Sequence, residues 1–101
     1  MISVTPDAAK HIKDSAETGQ TNGMRLRIAV TKMDNGDFHY ALGFDDNKRE
    51  GDEHYTSEGV DIVVALESAA MLSGTVIDYV DIDGSKEIIF VNPNDPAQNK
   101  A

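Results

Sequence analysis

Cysteine is absent from the 101-residue chain. Without a thiol there is no disulfide, no thiol redox chemistry and no thiolate to hold a metal. Basic residues are scarce: nine Lys and Arg stand against eighteen Asp and Glu, a formal net charge of -9. That field repels phosphate backbones and anionic bilayers, so neither nucleic acid nor a membrane is an expected partner. Long apolar runs are lacking too. The longest, Ile62 to Leu66, is far too short to cross a bilayer, and the opening Met1-Ile2-Ser3-Val4-Thr5-Pro6 has neither the basic nor the apolar stretch of a secretory signal. The expectation is a soluble cytoplasmic protein. No internal repeat is visible, and the length suits one small domain able to bury a core without metal or disulfide support.

What is present is periodicity. Thr5 can cap a helix with Pro6 at its first position and Asp7 in its first turn, and Ala9, Ile12 and Ala16 then share a face up to a stop at Gly19. This predicts an amphipathic helix from Pro6 to about Thr18. Met24, Leu26, Ile28 and Val30 alternate with Arg25, Arg27, Ala29 and Thr31, the period of a half-buried strand whose arginines face water. Asn35-Gly36 signals a type I′ hairpin turn, returning the chain into the alternating Phe38, Tyr40, Leu42 and Phe44. A charged loop from Asp45 to Asp52 follows, then a short strand from Glu53 to Ser57 and a turn at Glu58-Gly59. Val60 to Leu66 reads as a strand buried on both sides, because Val63 and Ala65 make its second face apolar. A short helix at Ser68 to Leu72 ends at Gly74, and two strands meet at Asp83-Gly84-Ser85. The expected core is Leu26, Leu42, Ile62, Val64, Leu72 and Phe90. These elements give an α+β domain over 1–94, mainly antiparallel, with a disordered polar tail at 95–101.

One stretch is more specific. Gly59-Val60-Asp61-Ile62-Val63-Val64 runs through Ser68, Leu72, Gly74-Thr75 and Ile77-Asp78-Tyr79-Val80 to Phe90-Val91-Asn92-Pro93-Asn94. This order and spacing resemble the A-type iron-sulfur carriers, the HesB/IscA family, over roughly Gly23 to Asn94. The resemblance implies a compact β-sandwich with an N-terminal helix and a short second helix, the HesB-like domain. It also implies three cluster-binding cysteines, one in the hairpin after the first strand and a Cys-Gly-Cys pair beyond Asn-Pro-Asn. Here the hairpin reads Lys32-Met33-Asp34-Asn35-Gly36-Asp37, about two residues longer than the family pattern, and the tail reads Asp95-Pro96-Ala97-Gln98-Asn99-Lys100-Ala101. A thioether, carboxylates and an amide do not replace the soft thiolates of an iron-sulfur cluster, so no cofactor is expected. The family's aspartate three residues before the serine is Ala65 here.

Candidate sites follow from this reading. Met33, Asp34, Asp37 and His39 surround the place of the family's first cysteine and are the candidate partner-binding residues; the plain alternative is a hairpin turn kept only for its geometry. Asp45, Asp46, Glu50, Asp52 and Glu53 are oxygen donors of the kind a divalent cation takes, but Lys48 and Arg49 interrupt them and no calcium-loop spacing is present. His11, His39 and His54 lack any paired metal-ligand spacing and read as surface residues. Ser68 suits helix capping better than nucleophilic attack. Asp78 reads as structural, accepting backbone hydrogen bonds near Gly74-Thr75, and Asn92-Pro93-Asn94 as a local strand stop. No catalytic or metal residue is expected. The preferred function is a non-enzymatic interaction or regulatory protein, since the resemblance extends to a cysteine-free member encoded with sulfur-oxidation genes. The alternative is an accessory of iron or iron-sulfur assembly that binds iron through carboxylates and histidines, and a small enzyme comes last. A protein partner is expected, its identity and the oligomeric state being left open.

Overall fold

The computed structural model describes residues 2–20, 23–47 and 50–98. Thr5, in extended conformation, accepts a hydrogen bond on its hydroxyl from the Ala8 N–H, and Pro6 occupies a first-turn position where no N–H is needed, so helix α1 runs Pro6–Thr18 as its sequence predicts. Ala8, Ala9 and Ile12 form its buried stripe. In front of it lies β1, Ser3–Val4, which the sequence reading missed. After α1 come β2 (Arg25–Lys32), β3 (Phe38–Asp45), β4 (Glu53–Ser57) and β5 (Val60–Val64). A short helix α2 (Leu66–Ala69), continued by a 3-10 turn over Ala70–Leu72, leads to β6 (Val76–Ile82) and β7 (Ser85–Val91).

Two sheets result, one ordered β1-β6-β7 and the other β3-β2-β5-β4. The β2–β3, β4–β5 and β6–β7 pairings are antiparallel, whereas β1–β6 and β2–β5 are parallel. The core between the sheets and under α1 is aliphatic: Leu26, Ile28, Ile62, Val64, Leu72 and Ile77 are buried almost completely. Val63 and Ala65 are buried on the other face of the β5 segment, as their apolar character predicts.

Two expected core residues differ. Leu42 stands opposite Ile28 in the β2–β3 register, yet it is 41% exposed while Ile28 is fully buried. The reason is position: β3 is the edge of its sheet, and alternation fixes the face a side chain takes without bringing anything to cover it. Phe90 is only half-buried, at the margin of the core. The hairpin between β2 and β3 also departs from a type I′ turn. Its loop is closed by Gly36 N–H donating to Met33 O (2.9 Å) and Met33 N–H donating to Asp37 O (2.7 Å), with positive φ at Gly36 (90°) but not at Asn35. This is a type I turn followed by a glycine bulge. Positive φ at both central residues occurs instead at Glu58-Gly59 and Asp83-Gly84.

Arg25 and Arg27, expected to face water, are half-buried. The Arg27 side chain is only 12% exposed because it clamps the charged loop: its guanidinium donates to Asp52 Oδ2 at 2.7 Å and Oδ1 at 3.1 Å, and to Asp45. The hydrogen bond to Asp52 raises the Arg27 pKa well above its ordinary value; burial opposes this, and Asp45 adds to it. Two of the five acids considered as cation ligands are therefore already matched by a protein cation. Lys48 and Arg49 lie outside the described residues.

Candidate functional site

The hairpin tip projects Met33, Asp34, Asp37 and His39, all exposed, with Met33 at 50%. Asn35 stiffens it by accepting from the Asp37 N–H (3.0 Å) and donating through Nδ2 to Asp37 Oδ2 (3.1 Å). The four candidate residues thus share one loop and the start of β3. The other histidines do not join them: His11 stacks on Tyr79 with ring centroids 4.0 Å apart, and His54 lies exposed on β4. Among the described residues no three His, Asp or Glu side chains are grouped as metal ligands.

Behind the tip, β3 meets the segment after β7 through polar contacts that the sequence did not advertise. Tyr40 stacks on Phe90 (4.6 Å between centroids), and its hydroxyl donates to Asp95 Oδ2 at 2.6 Å. Asn92, 1% exposed, donates from Nδ2 to Tyr40 Oη (3.2 Å) and to Met71 O (2.8 Å), while its Oδ1 accepts from the Asn94 N–H (2.9 Å). Asn94 ties in turn to Ser73 O (2.7 Å). Asn-Pro-Asn is therefore more than a local strand stop. It joins the end of β7 to β3 and to the turn after α2, and Pro93 packs so closely over Gly74 that a Cβ there would lie 3.3 Å from its ring.

The polar tail is also drawn in. Asp95 is 4% exposed, and Gln98 mimics a neighbouring strand, accepting from the Asn92 N–H (2.9 Å) and donating to Phe90 O (2.8 Å). Within the expected disordered tail, Asp95 is buried and Gln98, though exposed, satisfies backbone groups at the end of β7; 99–101 lie outside the described residues. Tyr40 has its pKa pushed up to about 12, first by burial and then by its hydrogen bond to Asp95, with the Asn92 donor opposing.

Two other assignments change. Ser68 lies inside α2, which Ala65 precedes as N-cap without a side-chain bond. Its buried hydroxyl bridges to β2 instead, accepting from Val30 N–H (3.1 Å) and donating to Val30 O (3.2 Å). Asp78 is structural, but it serves Thr5 (2.7 Å) and the Tyr79 N–H (2.8 Å), not the Gly74-Thr75 backbone. For Ser68, Asn92 and Asp95 the sequence carries no clear signal of burial, since polar residues beside turns read as solvent-facing. Arg27 had one: an alternating strand next to a loop dense in carboxylates.

A chain whose two sheets, capped helix and Asn-Pro-Asn junction are arranged in this way belongs to the family described as iron-sulphur cluster biosynthesis, whose model matches residues 1–98. It is 32% identical over 94 residues to iron-sulfur assembly protein 1 of Schizosaccharomyces pombe, covering 93% of this chain but only half of that relative. It is 33% identical over 94 residues to the iron-sulfur cluster insertion protein ErpA of Ruthia magnifica, covering 92% of this chain and 80% of that one. Among solved structures it is similar to IscA with a [2Fe-2S] cluster, with a TM-score of 0.75 and 29% identity over 93% of this chain and 86% of that one. The α+β sandwich implied by the sequence resemblance is thus the observed fold. Among the described residues no helix is long and apolar enough to cross a membrane.

Proposed function

We propose that this chain is a cytoplasmic, non-enzymatic interaction or regulatory protein that uses the iron-sulfur carrier scaffold without its cluster, in the service of dissimilatory sulfur oxidation. In this it resembles DsrR, the cysteine-free A-type protein encoded with sulfur-oxidation genes. The observation that carries the reading is the pairing of a family match over residues 1–98 with a chain that contains no cysteine. The donors on hand do not fit an iron-sulfur cluster. Met33 offers a thioether, Asp34 and Asp37 hard carboxylates, and Asp95 is engaged by Tyr40 and Gln98.

Binding rather than chemistry is left to the site. The hairpin holds Met33, Asp34, Asp37 and His39 in a fixed, exposed array, one apolar side chain among carboxylates, suited to a protein partner carrying a basic patch. Reversing Asp34 and Asp37 together to lysine is expected to abolish capture of a native partner while shifting stability by no more than about 0.5 kcal/mol, as is usual for exposed positions. Capture unchanged by that variant but lost on substitution of Arg25 moves the binding surface to the sheet. Ferrous iron tests the alternative, an accessory of iron or iron-sulfur assembly that binds iron through carboxylates and histidines: a saturable rise in melting temperature would favour it.

A further inference from the structure

The three-stranded sheet has a second face. Ile77 is fully buried, and Tyr79, Ile88 and Phe90 pack against the core, so the alternate side chains of β6 and β7 point away from it. These include Val76, Val80 and Ile82 from β6 and Ile89 and Val91 from β7, of which Ile82 is 41% and Val91 50% exposed. None of the five is packed on the core cluster. Helix α1 covers the other side, where His11 stacks on Tyr79, and Lys86 is there too, its ammonium 5.7 Å from the Tyr79 ring centre. The remaining outward positions of β6 and β7 are Asp78, Glu87 and Ser85. This strip is therefore aliphatic, carries two carboxylates and holds no cation of its own.

Its size and charge limit what can cover it. Two strands of seven residues at about 3.3 Å per residue and roughly 4.8 Å per strand give a strip of roughly 220 Å². That falls well short of the roughly 800 Å² each side contributes to a standard interface, and is near what one helix about 10 Å wide covers. A second copy of this chain would set Asp78 and Glu87 of both copies in one apolar contact with no cation between them, a desolvated like-charge arrangement. We propose that the outer face of β6 and β7 docks one amphipathic basic helix of a partner protein, its apolar stripe on Val80 and Ile89 and its Lys or Arg side chains opposite Glu87 and Asp78. This surface is distinct from the hairpin tip and does not depend on it.

The probe is a synthetic helical peptide of leucine and lysine with all leucines on one face, titrated into isotope-labelled protein and followed by amide chemical shifts. The expected result is saturable binding with shifts centred on Val80, Glu87 and Ile89. Glu87→Lys should weaken it at least 10-fold and Ile82→Ser about 3-fold, both at exposed positions that leave the fold intact. A scrambled peptide of the same composition and a leucine-glutamate counterpart should not bind there. The Asp34→Lys/Asp37→Lys variant should bind the peptide like wild type, which separates this test from that of the hairpin. Equal binding of the scrambled peptide, shifts centred elsewhere, an unaffected Glu87→Lys variant, or concentration-dependent shifts on this face without peptide would each overturn the proposal.

Discussion

Removing the Tyr40 hydroxyl isolates the contact that holds the segment after β7 against β3. In Tyr40→Phe the ring still stacks on Phe90, so apolar packing is kept and only the hydrogen bonds change. Asp95 loses its shortest donor, at 2.6 Å, and keeps the Ala97 N–H at 2.9 Å and Gln98 Nε2 at 3.3 Å. Asn92 loses one acceptor and keeps Met71 O. Taking one partner from a buried charged acceptor costs about 1.5 to 3 kcal/mol, and with other donors remaining about 2 kcal/mol is expected. In urea, with a slope of about 1 kcal/mol per molar for a chain of this size, the midpoint should fall by roughly 2 M. Asp95→Asn should cost less, about 1 kcal/mol, because an oxygen acceptor remains. The double variant should show a coupling of at least about 1 kcal/mol.

The same contact predicts an alkaline signature. The Tyr40 pKa is raised from 10.0 to about 12 in the folded chain, so folding favours the protonated phenol. Its stabilisation is complete below about pH 10 and is lost as pH rises from there through about 12. Wild type should therefore lose stability more steeply than Tyr40→Phe across that window, with the two curves converging at its upper end. A Tyr40→Phe midpoint within about 0.3 M of wild type, or parallel curves from pH 9 to 12, would refute the account of Asp95 as a held carboxylate.

Alanine at Ile62 or Leu72, both fully buried, should each cost roughly 2 to 4 kcal/mol in denaturant unfolding; at Leu42, 41% exposed, it should cost less than about 1 kcal/mol. Arg27→Ala removes the guanidinium that pairs with the Asp52 side chain, 3% exposed, and should cost about 3 kcal/mol by thermal or urea unfolding. Arg27→Lys should recover only part of that, since one ammonium cannot reproduce the fork that spans Asp45 and Asp52. Anaerobic reconstitution with iron and sulfide should yield no stable cluster, because no thiolate is there to bind one; stoichiometric bound iron and sulfide with charge-transfer absorption would contradict this.

The sequence was informative wherever a local rule decides. The Thr5-Pro6 start places α1 to the residue, and alternation finds β2, β3 and β5 together with the face each turns to the core. It was silent where the outcome depends on what lies across the fold. Two residues of β1 have no measurable period, so the parallel pairing of Ser3 with Val76 is invisible until the sheet is assembled. Leu42 obeys the pattern and still stays exposed, since periodicity does not say which strand is an edge. Arg27, Asn92 and Asp95 failed in the opposite direction. Arg27 is expected to face water, Asn92 to act in a local strand stop and Asp95 to lie in a disordered tail, yet each is drawn inward by partners 18 to 55 residues away in sequence.

For the partner docking proposed at the hairpin, the long-range polar contacts bear on how the tip is held. β3 is an edge strand and would fray if held only by its pairing with β2. Two side-chain anchors prevent that: Arg27 grips the loop that leaves β3 at Asp45, and Tyr40, two residues after Phe38, is bound to Asp95 and Asn92 and stacked on Phe90. Between Tyr40 and the tip only Phe38 and His39 intervene, so the loop from Met33 to Asp37 is carried on a short fixed stem and stiffened by Asn35. A pre-ordered loop gives up little side-chain and backbone freedom when a partner arrives, and the charge of Asp34 and Asp37 acts on encounter without first having to be positioned. It follows that loosening the stem should weaken a partner even though no contact residue changes. Tyr40→Phe should therefore reduce partner capture at the tip by a smaller factor than reversal of Asp34 and Asp37, and an equal loss from both would place the partner on the segment after β7 instead.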